Sequence, residues 1–313
     1  MARWTTSDIP DQTGRTVLVT GANSGLGLRS AEVLARHGAA VLLGCRNAER
    51  AEVARDQVAA TATGPDPVVV SLDLADLASV RKAASEVDGT VERLDVLMNN
   101  AGVMALPLTR TADGFEMQFG TNHLGHFALT GLLLPTLQRA VRPRVVTTSS
   151  RAHVAGRTTW DDPNYERSRY SRWGAYGRSK LANLLFMREL ARRAQGAGTD
   201  LVSVAAHPGY ASTHLLGPST ELPGGWLLPR LAGAVAAAGN GLVAQSDAAG
   251  ALPQLYAATM GDVTPGDYYG PDGPFEMRGA PKLVGMSAQA RDDAAAARLW
   301  ELSEQLTGVT FAW

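Results

Sequence analysis

The chain has 313 residues, 45% hydrophobic and 19% charged: enough apolar side chain for a sizeable core, and too few charges for extensive disorder. A formal net charge of −1 excludes the basic footprint of a nucleic-acid partner, and the single cysteine, Cys45, excludes an intrachain disulfide and a cysteine-based metal site. With no apolar run of about 18 residues and no leader-like stretch in MARWTTSDIPDQTGRT, a cytoplasmic protein without a membrane anchor is expected.

In chain order, TVLVT (16–20) predicts a strand, and GLGLRSAEVLARHG a helix ended by Gly38. AAVLLG (39–44) is the next strand, followed by a helix to about residue 61. PVVVSLD (67–73) is the third, with a helix over roughly 77–86 after it. LDVLMN (94–99) leads through a loop to a long helix over about 113–140. RVVTTSS (144–150), a helix over about 173–195 and LVSVAA (201–206) follow. From Pro208 to about Gly241 proline, glycine and apolar residues mix; then come a helix near 246–260, an irregular YYGPDGPFEMRGAP and a last helix near 287–306. The strands are continuous apolar runs, as a parallel sheet buried on both faces requires. We therefore expect an α/β fold: one domain over 1–313, a doubly wound, mostly parallel sheet of the Rossmann type, with an elaborated C-terminal substrate region whose loop spans 208–241.

TGANSGLG sits between the first strand and the first helix, where backbone N–H groups at a helix N-terminus face a pyrophosphate. Gly21 permits the tight turn, Gly25 the approach of backbone to phosphate, and Gly27 close packing of helix on sheet. A glycine-rich turn without a ligand is the bland alternative. The second strand ends in Gly44, Cys45, Arg46, Asn47. An acidic residue there would bind ribose hydroxyls, whereas Arg46 suits a 2′-phosphate, to which Ser24 can also donate, so NADP(H) is favoured over NAD(H).

YGRSK places Tyr176 and Lys180 one helical turn apart on the same face. Seven Tyr and three Lys in 313 positions leave about 0.07 such pairs to chance, which lifts this one above background. A lysine charge about 5 Å from a phenol, at an effective dielectric of about 20, favours phenolate by about 3 kcal/mol. That lowering would bring the phenol towards the range of a working acid–base group. Ser150 closes the fifth strand and Asn122 lies in the helix before it, so both approach the carboxyl ends of the strands, where ligands of such sheets bind.

Taken together, these motifs resemble the short-chain dehydrogenase/reductase family over nearly the whole chain. TGANSGLG is similar to the family's cofactor loop, so Gly21, Asn23, Ser24, Gly25, Leu26 and Gly27 are implied cofactor contacts. Asp73, with Leu74, matches the family aspartate beside adenine, and Asn100, Ala101 and Gly102 of NNAG the segment supporting the cofactor. Pro208, Gly209 and Thr213 of HPGYAST resemble the segment closing over nicotinamide. Asn122, Ser150, Tyr176 and Lys180 match the catalytic four. By this resemblance Tyr176 exchanges the proton, while Lys180 lowers its pKa and holds the nicotinamide ribose. Ser150 hydrogen-bonds the reacting oxygen, Asn122 anchors a water near Lys180, and hydride passes between nicotinamide and an alcohol or carbonyl substrate. NHLGHF, SSRAH, the TTWDDPNYERSRYSRWGAY insert and SKLANLLFMRELARR resemble the retinol-dehydrogenase-like branch, which implies a lipophilic small-molecule substrate.

A dinucleotide-sensing protein of the same fold would be expected to lack Tyr176 or Lys180. A nucleotide-sugar epimerase would carry Gly-x-x-Gly-x-x-Gly, which is not present. His123, His126 and His153 read as packing or capping rather than metal ligands, and Met98, Met104 and Met117 as core. Trp160, Trp173 and Trp226 stay open between packing and a pocket wall. Residues 214–235 fit an apolar lid and equally a packing or subunit surface, which leaves a homo-oligomer open.

Overall fold

The computed structural model describes residues 3–210 and 246–313; Thr213, Trp226 and the expected lid at 214–235 lie outside them. Among the described residues eight strands form one sheet: β1 Thr16–Thr20, β2 Ala40–Cys45, β3 Val68–Ser71, β4 Val96–Asn99, β5 Arg144–Thr148, β6 Val202–Ala206, β7 Tyr268–Pro271 and β8 Pro281–Leu283. Their spatial order is β3-β2-β1-β4-β5-β6-β7-β8, parallel except for the β7–β8 pair. The helices are α1 Gly25–Arg36, α2 Ala48–Ala59, α3 Leu77–Thr90, α4 Met117–Phe119, α5 Gly125–Gln138, α6 Arg172–Gly196, α7 Asp247–Thr259 and α8 Asp293–Thr307. This is the doubly wound α/β fold that the continuous apolar strands predict. Strand order reverses between β1 and β4, which opens a crevice at their carboxyl ends.

Alternation along each strand feeds two cores. Val17 and Val19 of β1 join Val41, Leu43, Val96 and Met98 beneath α1 and α7, while Leu18 turns to the other face with Leu42, Leu97 and Val145 beneath α3, α5 and α6. The second face is closed by an aromatic cluster. Trp300 of α8 stands 5.0 Å from Phe127, 5.9 Å from Phe186 and 4.4 Å from Phe311 between ring centroids. Side-chain caps start the helices where turn residues predict them: Asn47 accepts from Arg50 N, Asp76 from Ala78 N, Ser171 from Gly174 N and Ser246 from Ala249 N.

Several expectations are corrected. The stretch read as irregular after residue 267 forms β7 and β8, short edge strands whose prolines, Pro271 and Pro281, mask their pairing. The long helix expected over 113–140 begins at Met117, under a Glu116 cap that accepts from Gln118 N and Phe119 N, and passes through a π-helical turn, Gly120–Leu124, before α5. The last helix starts at Asp293 rather than near 287, because Asp292 caps it by accepting from Ala295 N. Met98 is core, but Met104 and Met117 are only half-buried. Trp160 is buried, stacked 6.1 Å from Phe119, whereas Trp173 is 58% exposed.

Trp300→Ala should lower unfolding free energy by about 3–5 kcal/mol, because the emptied space is walled by three rings that cannot all collapse into it. Urea titration measures this, and a loss below about 1 kcal/mol would show the cluster to be unimportant for stability.

Candidate active site

The crevice is built first from backbone. Gly21 and Gly25 take φ of 68° and 53°, a left-handed turn that side chains disfavour, and Gly21 N donates to Gly44 O at 2.8 Å. A Cβ on Gly27 would stand 2.3 Å from Gly21 O and 2.6 Å from Asn100 Nδ2, so only glycine lets α1, the loop and the turn after β4 meet. The resulting cleft, about 530 Å³, is lined by Gly21, Asn23, Ser24, Gly25, Leu26, Gly27, Arg46, Asp73, Leu74, Asn100, Ala101 and Gly102. Sequence reading missed Asn47, Arg50 and Asp247, which line it too. Arg50 was legible in principle, since it falls in the first turn of α2, just after Arg46 and the Asn47 cap. Asp247, remote in sequence, carried no signal.

Beyond Gly102 the cleft meets the second group of residues. A Cβ on Gly102 would lie 3.1 Å from Asn122 Oδ1 and 3.3 Å from Lys180 Nζ, so this glycine joins the two halves. Asn122 Oδ1 accepts from Val103 N at 2.7 Å, while its Nδ2 donates to Val103 O and to Ser179 Oγ, each at 2.9 Å. The side chain thus bonds like a neighbouring strand, at the site of the π-helical turn. The Asn122 carbonyl accepts from His126 Nδ1 at 3.0 Å. A carbonyl can only accept, so Nδ1 carries the proton of the neutral ring and Nε2 accepts from Thr20 Oγ1 at 2.9 Å.

On α6, Tyr176 and Lys180 share one face: Lys180 Nζ is 5.8 Å from the Tyr176 ring centroid and donates to Thr148 O at 3.2 Å. The Ser150 hydroxyl lies close enough to the Tyr176 phenol to hold its pKa down, and its Oγ accepts from Ala152 N at 3.2 Å. Asn122, Ser150, Tyr176 and Lys180 are therefore gathered at the carboxyl end of β5. Pro208 and Gly209 follow β6 and pack on the turn after β7 rather than lining the glycine-loop cleft.

Electrostatics corrects one expectation. Burial raises the Tyr176 phenol, opposed in part by the nearby Ser150 hydroxyl, contrary to the lowering expected from the lysine. Lys180 is itself pushed down to about 8 by the same burial. At neutral pH the pair is a phenol beside an ammonium. The four histidines of this region are structural and neutral. Burial lowers His123 to about 3, and His126 to about 4 against a raising bond to Asn122 O. His123 Nε2 meets Ser303 Oγ at 2.8 Å, and His153 Nδ1 donates to Ser150 O at 2.7 Å. His207 is lowered to about 4, again by burial.

The short chain dehydrogenase family profile matches residues 15–222. The chain belongs to that family. It is 41% identical to human retinol dehydrogenase 13 over 299 residues, 95% of this chain and 85% of that protein. It is 43% identical to mouse retinol dehydrogenase 14 over 309 residues, 95% and 86% of the two chains. The structure of an uncharacterized protein from Mycobacterium paratuberculosis shares 44% identity, covers 100% of both chains and superposes with a TM-score of 0.80. The NADP active-site complex of Pseudomonas aeruginosa RhlG, 24% identical over 84% of this chain and 97% of its own, shares the fold with a TM-score of 0.63. This short-chain dehydrogenase lies in the retinol-dehydrogenase-like branch: an oxidoreductase of alcohol or carbonyl groups that uses a nicotinamide cofactor.

The buried histidines dictate a pH dependence of folding. Native values near 3 and 4 lie below the unfolded value of about 6.5, so the unfolded chain binds more protons between them. Stability is full above pH 6.5 and falls as pH drops, by about 1.4 kcal/mol per unit for each ring. Denaturant midpoints between pH 7 and 4.5 check this; a flat profile would contradict neutral, buried imidazoles.

Proposed function

We propose that this chain is an NADP(H)-preferring oxidoreductase that interconverts a lipophilic alcohol and its carbonyl compound, with Tyr176 as the acid–base group. The observation that carries the reading is the convergence of the Ser150 hydroxyl, the Tyr176 phenol and the Lys180 ammonium just beyond the glycine cleft, joined to it at Gly102. The cleft fits a dinucleotide in size and lining, about 530 Å³ floored by the backbone of the glycine loop at the start of α1. Gly21, Asn23, Ser24, Gly25, Leu26 and Gly27 would hold the pyrophosphate side and Asp73 and Leu74 the adenine. Asn100, Ala101 and Gly102 would support the middle, Lys180 the nicotinamide ribose, and Pro208 and Gly209 the nicotinamide. When bound, the nicotinamide supplies or accepts the hydride.

The protein's own part is position and a proton. Ser150 orients the reacting oxygen against the Tyr176 phenol. In reduction the phenol gives its proton to the developing alkoxide, and the Lys180 ammonium stabilises the phenolate left behind. In oxidation the phenol must first ionise, which burial opposes. A lipophilic substrate is supported by Trp173, more than half exposed and edge-on to Tyr176 at 6.3 Å between ring centroids. The 2′-phosphate preference is supported by Arg46 and Arg50 together. Both line the adenosine end, and among the described residues neither guanidinium has an ion pair.

Tyr176→Phe should nearly abolish turnover of a retinoid or aliphatic aldehyde, followed by NADPH absorbance, while the NADPH dissociation constant holds; full activity in that variant refutes the assignment. In the wild type, alcohol oxidation should climb towards alkaline pH while carbonyl reduction holds at pH 7, since the raised phenol is the acid form there.

Arg46→Asp should weaken NADPH about ten- to hundred-fold and leave NADH little changed or improved, for the loss of a charge-assisted contact of about 1.5–3 kcal/mol. Titration of protein fluorescence with both cofactors decides. Equal wild-type affinities would remove the basis for the preference.

A further inference from the structure

The turn between β7 and β8 carries a feature that neither packing nor the assigned site explains. Phe275 and Glu276, consecutive and not glycine, take φ of 51° and 56°, a left-handed conformation that side chains disfavour. What this arrangement achieves is the placement of one carboxylate. Glu276 Oε2 lies 3.2 Å from His207 Nε2 and 3.0 Å from Arg151 Nη1. Arg151 directly follows Ser150, and His207 directly precedes Pro208. His207 Nδ1 accepts from Gly209 N at 3.2 Å, so Nδ1 is the unprotonated nitrogen of the neutral ring and Nε2–H donates to Glu276. The same turn is tied again where Tyr210 N donates to Met277 O at 2.8 Å. Gly209 itself bends at φ 71°, and a Cβ there would stand 2.4 Å from Met277 O.

We infer that Glu276 is a positioning residue for the reaction: through His207 it fixes the Pro208–Gly209 backbone, and through Arg151 it fixes the turn that carries Ser150. One carboxylate thereby sets the distance between the segment beside the nicotinamide and the hydroxyl that orients the reacting oxygen. The left-handed backbone at 275–276 is the strain that this placement requires. The inference rests on the proposed reading only for the identity of what lies beside Gly209; the tie itself is a property of the free protein.

The test uses the full chain and three variants. Glu276→Gln keeps an oxygen that accepts from His207 Nε2. Glu276→Asp keeps the charge but withdraws it by one methylene, and Glu276→Ala removes both. Hydrogen exchange of the Gly209 amide, measured without any cofactor, should quicken about ten-fold or more in the Ala and Asp variants and return to near wild type in the Gln variant. The same two variants should bind NADPH about ten-fold more weakly, with 2′,5′-ADP unaffected because it has no nicotinamide, and should lose kcat to a similar degree. Gly209 exchange unchanged in the Ala variant overturns the tie. Equal weakening of NADPH and 2′,5′-ADP, or failure of Gln to rescue, overturns the positioning role and leaves a merely stabilising turn. Wild-type protein that binds neither nucleotide would refute the proposed function, and the Gly209 exchange rates would still decide the tie.

Discussion

At the end of β1, the buried hydroxyl of Thr20 accepts two hydrogen bonds, from Asn100 N and Ala101 N at 3.0 Å each, and donates one to His126 Nε2 at 2.9 Å. Met98 O is a further close neighbour at 3.2 Å. A backbone amide shielded from water without a partner costs about 1–3 kcal/mol, so this hydroxyl helps hold the chain after β4 as it turns away from β1. That divergence is the crevice. From the same oxygen the bonds run through His126 to the Asn122 carbonyl, and from the Asn122 side chain to Val103 and Ser179 on α6. The loop that would cradle phosphate and the helix bearing Tyr176 and Lys180 are thus referenced to one atom.

A second buried group ties in the far end of the chain. Gln254 of α7 donates to Ser30 Oγ at 2.7 Å and to Asn100 Oδ1 at 3.1 Å, and accepts from Thr148 Oγ1 at 3.1 Å. The Thr148 carbonyl in turn takes the Lys180 ammonium and the Asn183 amide. Such networks are costly when broken, because each member left unpaired keeps its full desolvation penalty. Rigidity of this kind suits a site whose chemistry depends on holding a phenol, a hydroxyl and a substrate carbon in register.

The charges inside this frame are governed by burial. Lys180 would be a strong cation in water, yet its exclusion from solvent lowers it to about 8, and Tyr176 is raised rather than lowered. A lysine charge one helical turn away would by itself lower the tyrosine, but a phenolate held away from water is costly, and that burial raises Tyr176.

The sequence by itself determined the sheet order's raw material and the glycine loop and Arg46 of the cleft, because these depend on local pattern: apolar runs, glycines at fixed offsets, an arginine after the second strand. Asp73, Leu74 and Asn100 to Gly102 followed from the family resemblance. It also determined that Asn122, Ser150, Tyr176 and Lys180 belong together, since their motifs follow one another in a family order. It did not determine β7 and β8, whose Pro271 and Pro281 and the surrounding glycines mark turns rather than strands. Nor did it determine the π-helical turn at Asn122, which arises where that side chain bonds the backbone of Val103 across 19 residues. Only the tertiary structure decided that Glu276 meets Arg151 and His207, because a contact between residues so distant along the chain leaves no periodic mark. The same holds for the sign of the Tyr176 shift, which depends on how much water the packed elements exclude and not on which residues are adjacent.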